Sequence, residues 1–359
     1  MMAAQRKLAL SIEVGRYLDG GLADMAAFVE GADRMGVQAA WAGEAWGQDA
    51  ASVLGFVAGR TKRIKLGTGI MQISARVPAM TAMTALSLNA LSEGRFLLGL
   101  GVSGPQVVEG LHGTRYRMPL TRLIETVQIC RAAFAGERLR HDGQMFKLPL
   151  PGSEGKALRL DHKPADIPIY LATLGPKALH FTGEAADGWL GTSFSPDHPE
   201  AHLPYIKAGA EAAHRTLDSI DISASARVEI GEDVEAMINR RRPAIAFNMG
   251  GMGSATTNFY NAAFRRAGFA EDADAIQALW MQGDRDAAAK RVPDAMITEF
   301  QAIGTRDMVR ERFKRYWAAG VNTIKLGLDA VPHGAERLAM LEQIVDIVDG
   351  LNAETEENT

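Results

Sequence analysis

The chain has 359 residues, of which 47% are hydrophobic and 23% are charged, and its formal net charge is −4 at pH 7. This composition is typical of a globular protein with a large core, and it lacks the basic excess that a nucleic-acid backbone attracts. The single cysteine, Cys130, excludes an internal disulfide and a multi-cysteine metal site. The apolar run around Cys130 predicts that it is buried, and a small-molecule partner fits the chain best.

Targeting signals are not predicted. The apolar stretch Leu8–Ile12 is interrupted by Glu13 too early for the apolar region of a signal peptide. No run approaches the 18 apolar residues, roughly, that a membrane span needs. The sequence therefore predicts a cytoplasmic protein without a membrane segment.

Short apolar segments alternate with longer amphipathic segments along the chain, which is the pattern of repeated βα units in a parallel sheet. The predicted strands lie near Leu8–Val14, Ala39–Glu44, Ile64–Ile73, Arg95–Val102, Ile167–Leu174, Gly188–Phe194, Ile222–Ile230 and Thr323–Leu328. The predicted helices include Leu22–Met35, Ala50–Arg60, Ala79–Leu91, Leu120–Phe134, Lys177–Ala186 and Ala335–Val348. Eight strands in this arrangement predict a closed (β/α)8 TIM barrel, with residues 1–359 forming a single domain.

Two insertions are predicted within the repeat, at about residues 136–164 and 232–304. The first is interpreted as a hairpin because Asp142-Gly143 is a strong turn signal. The second has a helical pattern. In a closed barrel the loops after the carboxyl ends of the strands carry the chemistry, so candidate site residues are sought there.

A glycine motif follows the fourth predicted strand. Gly99, Gly101 and Gly104 have the spacing of a dinucleotide-binding fingerprint. Three βα units precede them, however, and Pro105 and the glycines beyond it disfavour the long helix that this fingerprint needs. We interpret Gly101–Gly104 as backbone that approaches a flat ring system, with a tight turn as the alternative.

A possible anion site follows the fifth strand. The segment LATLGPKAL predicts a strand that ends at Gly175 and a helix that starts with Pro176, a residue suited to the first helical position. Free backbone N–H groups, the helix dipole and Lys177 would together hold a phosphate or a similar anion. An ordinary capped helix is the alternative.

Two carboxylates are the candidate catalytic residues. Glu13 lies at the end of an otherwise apolar strand, where an unpaired charge is costly, and Glu44 repeats the pattern two residues before Trp46. Two carboxylates beside an aromatic ring predict a pocket that exchanges protons. For either one, an ion pair with Arg76 or Arg95 is the structural alternative.

Other polar motifs carry weaker signals. His198 and His202 have the spacing of a zinc pair, but Pro199 and Pro204 interrupt it, so no metal site is predicted. The run Arg240–Arg242 is interpreted as a solvated helix face, with a clamp on an acidic cofactor tail as the alternative. Motifs for hydrolysis or phosphoryl transfer are not found.

Taken together, the segments WAGEAWGQDA, RIKLGTGIMQI, GRFLLGLGVSGPQVVEGLHG and IPIYLATLGPKAL resemble the luciferase-like, deazaflavin-dependent oxidoreductases, which include methylenetetrahydromethanopterin reductase. The resemblance spans most of Lys7–Phe194 and returns at Ala318–Leu328. It implies a (β/α)8 barrel, usually a homodimer, with coenzyme F420 or FMN across the carboxyl-terminal mouth.

The resemblance also implies roles for individual residues. Glu13 matches the first-strand glutamate of the reductase, whereas Glu44-Ala45 replaces the Asp-His pair of several relatives, and Ala45 cannot serve as an acid. A third-strand bulge with a cis peptide would lie behind the cofactor ring. The implied cofactor contacts are Trp46, Gly69, Ile70, Gly101, Val102, Ser103, Gly104, Gly175, Pro176, Lys177 and Ser193.

The leading functional prediction is hydride transfer between coenzyme F420 and an organic substrate, with Glu13 or Glu44 assisting proton movement. One alternative is an FMN-dependent monooxygenase on the same barrel. Another is a flavin- or ligand-binding barrel without catalytic activity. The sequence does not identify the substrate.

Overall fold

A computed structural model describes residues 6–14, 20–253 and 257–357. Within these ranges eight parallel strands pair in chain order, and the eighth pairs with the first, which closes the barrel. They are β1 Ala9–Glu13, β2 Ala39–Ala42, β3 Lys65–Thr68, β4 Phe96–Gly101, β5 Ile169–Ala172, β6 Gly188–Gly191, β7 Asp221–Ile230 and β8 Thr323–Gly327. The predicted TIM barrel is therefore confirmed.

Helices surround the barrel and follow the strands. They are α1 Gly21–Arg34, α2 Ala50–Ala58, α3 Pro78–Leu91, α4 Pro105–Gly110, α5 Pro119–Phe134, α6 Pro176–Ala185, α7 Leu203–Ala212, α8 Val234–Gly250, α9 Phe259–Phe264, α10 Ala270–Met281, α11 Arg285–Arg291, α12 Ala295–Thr298, α13 Arg306–Ala318 and α14 Ala335–Glu357. Pro204, which interrupts the spacing of the histidine pair in the sequence, lies within helix α7. It occupies the first turn of α7, where a missing N–H costs no hydrogen bond.

The main core lies between the strands and the outer helices. Leu10 and Ile12 of β1 belong to it, and Cys130 of α5 is fully buried in it, as predicted. Because side chains alternate along a strand, the intervening residues face the barrel interior. No helix in the described ranges is long and apolar enough to span a membrane.

The interior of the barrel has an apolar side and a polar side. Trp41 and Tyr170 belong to a small apolar cluster on the side of β2, β4, β5 and β6, and their rings meet edge to face at 5.1 Å. Ser11, Ser223 and Lys325 are buried on β1, β7 and β8, on the other side. The polar side therefore brings charge to the end of β1, where Glu13 lies.

Both predicted insertions form the expected structures. Two short antiparallel strands, His141–Asp142 and Lys147–Leu148, make the hairpin. The Glu125 carboxylate accepts hydrogen bonds from three backbone N–H groups of the hairpin loop, which fixes the loop against α5. The second insertion contains α8 to α12 and has a core of its own, in which Phe264 and Phe300 stack with ring centroids 4.1 Å apart.

The glycine motif is not a dinucleotide-binding fingerprint. The strand before it, β4, is part of the closed barrel, and the helix after it, α4, has only six residues. The structure therefore agrees with the interpretation that Gly99, Gly101 and Gly104 do not form a dinucleotide-binding site.

Candidate active site at the carboxyl end of the barrel

A cavity of about 740 Å³ opens at the carboxyl ends of β8, β1, β2 and β3. This volume lies within the range of roughly 300–1,000 Å³ that is usual for small-molecule sites. Four predicted site residues line it together, namely Glu13, Glu44, Gly69 and Ile70. They come from three different strand ends, which is the usual construction of an active site in this fold.

One wall of the cavity is an interruption of the third strand. β3 pairs with β4 only through Gly67, and a two-residue strand, Met71–Gln72, resumes the pairing with β4. The Thr68 hydroxyl fills the gap, since its Oγ1 donates to the Gly99 carbonyl at 2.8 Å and accepts from the Gly99 N–H at 2.9 Å. The Gly69–Ile70 peptide bond between the two segments is cis, as the resemblance implies.

The backbone of neighbouring loops packs directly against this wall. A Cβ atom on Gly43 would lie 3.0 Å from the Gly69 carbonyl oxygen, and one on Gly101 would lie 3.0 Å from Ile70 Cδ1. Both distances are shorter than nearly all real Cβ contacts, so a side chain at either position would push the wall by a few tenths of an ångström. Glycine at these two positions thus keeps the Gly69–Ile70 wall in place without filling the cavity.

Glu44 is held by the third-strand segment. Its carboxylate forms a bidentate pair with Arg76, with Nη1–Oε2 and Nη2–Oε1 distances of 2.7 Å, and only 9% of its side chain is exposed. It also accepts hydrogen bonds from the backbone N–H groups of Gln72 at 3.1 Å and Ala50 at 3.2 Å. The ion pair with Arg76, which the sequence left open as the alternative, is therefore present.

Glu13 is held between two cations. Its Oε1 lies 3.1 Å from Lys325 Nζ, and its Oε2 accepts a hydrogen bond of 3.1 Å from Arg227 Nη1. Burial disfavours the charged carboxylate, but the attraction of Lys325 and Arg227 outweighs burial and lowers the pKa of Glu13 to about 2. At neutral pH the carboxylate is ionised, so it can accept a proton or a hydrogen bond but has no proton to donate.

The ion pairs continue from Glu13 into the second insertion. Arg227 also lies 3.4 Å from Asp329 Oδ1, and Asp329 Oδ2 accepts a hydrogen bond of 2.9 Å from Arg241 Nη1. Arg241 and Arg240 both pair with Glu229 of β7. The interpretation of Arg240–Arg242 as a solvated face is wrong for Arg241, whose side chain is only 6% exposed because it bridges two carboxylates.

Three of these site residues, Lys325, Arg227 and Asp329, were not among the sequence candidates. The sequence does contain a signal for Arg227 and Lys325. Polar residues occupy every second position on β7, at Ser223, Ser225 and Arg227, and again on β8, at Thr323 and Lys325. Such alternation indicates a polar barrel interior.

The loop after β4 adjoins the cavity but does not line it beyond the contact of Gly101 with Ile70. Ser103 has a φ angle of 57°, a left-handed conformation that non-glycine residues rarely adopt. The Tyr116 hydroxyl donates to the Ser103 carbonyl at 3.3 Å, and burial raises the pKa of Tyr116 to about 12. Val102 and Gly104 flank Ser103 in this loop.

The predicted phosphate site lies across the mouth from the cavity, because β5 is opposite β1 in the ring of eight strands. Gly175 precedes α6 with no side-chain cap, Pro176 opens the helix, and Lys177 is exposed. Arg266 of the second insertion donates to the Leu174 carbonyl at 2.6 Å, beside this helix start. Arg266 was not among the sequence candidates, since nothing in the local sequence links it to α6.

Two further candidates lie around the mouth without lining the cavity. Trp46 follows Glu44 and is 55% exposed. Ser193 follows β6 and has a φ angle of 53°, so it shares the left-handed conformation of Ser103. Both positions follow the carboxyl ends of barrel strands, at the end where Glu13 lies.

The two histidines with the spacing of a zinc pair, His198 and His202, have different surroundings. His198 Nε2 lies 3.1 Å from Glu299 Oε2. His202 is fully buried, with its ring centroid 5.4 Å from that of Trp189, and burial lowers its pKa to about 3. Within the described ranges no group of three potential metal ligands is present.

Comparison with known proteins agrees with this fold. Residues 7–323 match the family described as luciferase-like monooxygenase. The chain is 39% identical over 305 residues to a protein of Mycobacterium tuberculosis named as a coenzyme F420-dependent oxidoreductase, a match that covers 82% of this chain and 88% of the relative. It is 31% identical over 295 residues to the 5,10-methylenetetrahydromethanopterin reductase of Archaeoglobus fulgidus, covering 81% and 84%.

A solved structure shows the same likeness. The coenzyme F420-dependent tetrahydromethanopterin reductase of Methanopyrus kandleri superposes with a TM-score of 0.76 at 25% identity, over 97% of this chain and 99% of that chain. The barrel, the third-strand bulge and the sequence matches lead to one conclusion. This chain belongs to the luciferase-like monooxygenase family.

Proposed function

We propose that this enzyme transfers a hydride between coenzyme F420 and an organic substrate that binds in the cavity beside Gly69 and Ile70. It is an F420-dependent oxidoreductase, the activity named for its 39% identical relative. The observation that carries the proposal is the cavity itself, in which the Gly69–Ile70 wall lies together with the ionised carboxylate of Glu13. When bound, the deazaflavin supplies the carbon that gives or takes the hydride.

The residues present fit a flat ring. The wall at Gly69 and Ile70 packs against Gly43 and Gly101 and against the Trp41 side chain, which hold it in place. Ser103 and Ser193 both hold a left-handed backbone at strand ends, and such conformations cluster at functional sites. We assign ring contacts to Trp46, Gly69, Ile70, Gly101, Val102, Ser103, Gly104 and Ser193.

The opposite side of the mouth fits the anionic part of the cofactor. The first backbone N–H groups of α6, from Lys177 onward, have no side-chain cap, and Lys177 adds positive charge. Arg266 adds a second cation beside Leu174, and its hydrogen bonds to Ala201, Ala262 and Leu174 all go to backbone carbonyls. We assign Gly175, Pro176 and Lys177 to the phosphate.

The two candidate carboxylates receive different roles. We propose that Glu13 contacts the substrate, because its side chain is 40% exposed in the cavity and is ionised. It would accept a proton or orient a hydroxyl group of the substrate. Glu44 is surrounded by the donors of Arg76, Gln72 and Ala50, and we propose that it positions the Gly69–Ile70 wall.

We also propose that the enzyme is a homodimer that pairs through α2 and α3. Exposed apolar side chains lie along these two packed helices, at Phe56 on α2 and at Met80, Met83 and Leu91 on α3. The spacing of the α3 residues places them on one face of the helix. An exposed stripe of this kind is typical of a surface that another copy of the chain covers.

Two further points remain proposals. The insertion and the barrel act as one domain, since Arg240 and Arg241 join α8 to Glu229 of β7 through buried or half-buried ion pairs. A cytoplasmic location is expected from the sequence.

The function is tested by titrating the purified protein with F420 and with FMN while fluorescence is followed. We expect F420 to bind and to be turned over with an organic substrate. Binding of FMN in place of F420, with oxygen consumption, would instead identify a monooxygenase. Retention of F420 without turnover of any substrate would identify a binding protein.

A further inference from the structure

Arg227 is an exposed cation that lines the cavity. It lies near the carboxyl end of β7, lines the cavity, and has 41% of its side chain exposed. The neighbouring residue on β8 is Gly327, and a Cβ atom there would lie 2.2 Å from Arg227 Nη1. The absence of a side chain at position 327 therefore gives the guanidinium its place in the cavity.

The guanidinium of Arg227 uses only one of its nitrogens for protein contacts. Nη1 bonds to Glu13 Oε2 at 3.1 Å and lies 3.4 Å from Asp329 Oδ1. Within the described residues, no hydrogen bond is made by Nε or Nη2. Three N–H donors of this side chain are therefore available to a ligand.

The charges around Arg227 leave a positive excess. Among the described residues, the linked network contains four cations, Lys325, Arg227, Arg241 and Arg240, and three carboxylates, Glu13, Asp329 and Glu229. Lys325 and Arg241 are at most 9% exposed, and Arg240 does not line the cavity. Arg227 is thus the cation of this network that faces the cavity.

We propose that Arg227 binds a carboxylate of the substrate, so that the enzyme acts on an organic acid. The planar guanidinium presents parallel N–H groups that match two carboxylate oxygens. Glu13 and Asp329 would repel a phosphate dianion more strongly than a singly charged carboxylate, which favours the carboxylate. This inference rests on the proposed use of the cavity as the substrate site.

The test compares benzoate with benzamide, which has a similar shape but no charge, by calorimetric titration of the F420-loaded protein. We expect benzoate to bind at least about tenfold more tightly than benzamide, as for a charge-assisted pair. Arg227→Gln should remove this preference. Gly327→Ala should weaken it while every charge is retained, because the added methyl group displaces the guanidinium.

Arg240→Gln is the matched control, since it removes one positive charge from the same network outside the cavity. It should change benzoate affinity by no more than about twofold. An equal loss of benzoate affinity in Arg240→Gln and Arg227→Gln would overturn the assignment. Unchanged benzoate binding in a folded Arg227→Gln variant would overturn it as well. Tighter binding of inorganic phosphate than of benzoate would also overturn it.

A separate F420 titration distinguishes failure of the proposed function from failure of the Arg227 assignment. If wild-type protein does not bind F420, the proposed function fails, while benzoate titration of the cofactor-free protein still tests Arg227. If Arg227→Gln weakens F420 binding as much as benzoate binding, Arg227 serves the cofactor and the substrate assignment is overturned. We expect F420 affinity to stay within about threefold in all three variants.

Discussion

The ammonium group of Lys325 lies 3.1 Å from Oε1 of Glu13, on the strand next to β1 in the barrel. Only 9% of the Lys325 side chain is exposed, so its charge depends on this carboxylate for compensation. Lys325 and Arg227 together hold Glu13 ionised against the effect of burial. The cavity therefore presents a carboxylate whose charge state is set by two residues far away in the chain.

Replacing Lys325 with Met should raise the pKa of Glu13 above its value of about 2, because one cation is lost while burial remains. The measurement is a carbon-13 NMR titration of the Glu13 carboxyl carbon. Lys290→Met, on helix α11, is the control and should leave this pKa unchanged. An unaltered titration in Lys325→Met would show that Arg227 alone holds the charge.

The lowered pKa of Glu13 also makes the free energy of unfolding depend on pH. The pKa of Glu13 is about 2 in the folded protein and 4.5 ordinarily, so its contribution is complete above about pH 4.5 and is lost as the pH falls toward 2. Since 40% of the side chain is exposed, we expect solvent screening to limit this contribution to about 1 kcal/mol. Urea unfolding at pH 6 and pH 3 should show that the free energy of unfolding falls more between these pH values in wild type than in Glu13→Gln. Parallel losses would contradict the assigned ionisation.

Glu13→Gln should slow turnover by about 10²–10⁴-fold and leave F420 affinity within a few fold, because a group that handles a proton is lost while the cofactor wall is intact. The measurements are steady-state kinetics and a fluorescence titration with F420. Normal turnover in a less stable protein would mean that Glu13 is structural.

Glu44→Gln should act mainly on stability. The change removes the charge that pairs with Arg76, whose side chain is only 20% exposed, and we expect a loss of about 3 kcal/mol in the free energy of unfolding. The double variant Glu44→Gln/Arg76→Met should regain part of it, since no unpaired cation remains. If Glu44→Gln instead has wild-type stability and strongly reduced turnover, Glu44 has a catalytic role.

Gly175→Asp should weaken F420 binding sharply, because it places a negative charge at the start of α6 where a phosphate is proposed. A Cβ atom at this position meets no other atom within 4 Å, so the fold should persist, as circular dichroism can verify. Gly175→Ala is the matched control for size and should bind F420 nearly normally. Lys177→Ala should have a milder effect than Gly175→Asp. Wild-type affinity in folded Gly175→Asp would place the phosphate elsewhere.

Met83→Glu should convert a dimer into monomers, because it introduces charge into the apolar stripe of α2 and α3. Size-exclusion chromatography with light scattering gives the mass directly. Leu158→Glu is the control, since Leu158 is 69% exposed in the hairpin insertion and lies outside the stripe. A wild-type protein that is monomeric at micromolar concentration would contradict the proposed dimer.

Local patterns determined the element order. The predicted strand Arg95–Val102 and helix Leu120–Phe134 match β4 and α5 closely, because periods of two and of 3.6 residues are written in the order of apolar and polar side chains. The local pattern did not predict the bulge in the third strand. Its segment, Ile64–Ile73, has the pattern of one long strand, and the resemblance to a family rather than the local pattern pointed to the break at Gly69.

The sequence by itself determined the barrel, the family and the loops in which the site lies, since parallel strands must bring their carboxyl ends to one face. Only the tertiary structure decided which charges meet there. Arg227 is 214 positions from Glu13, and they pair because barrel closure places β7 and β8 beside β1. Glu44 and Glu13 looked equivalent in the sequence, but through-space contacts bind one to Arg76 and leave the other in the cavity.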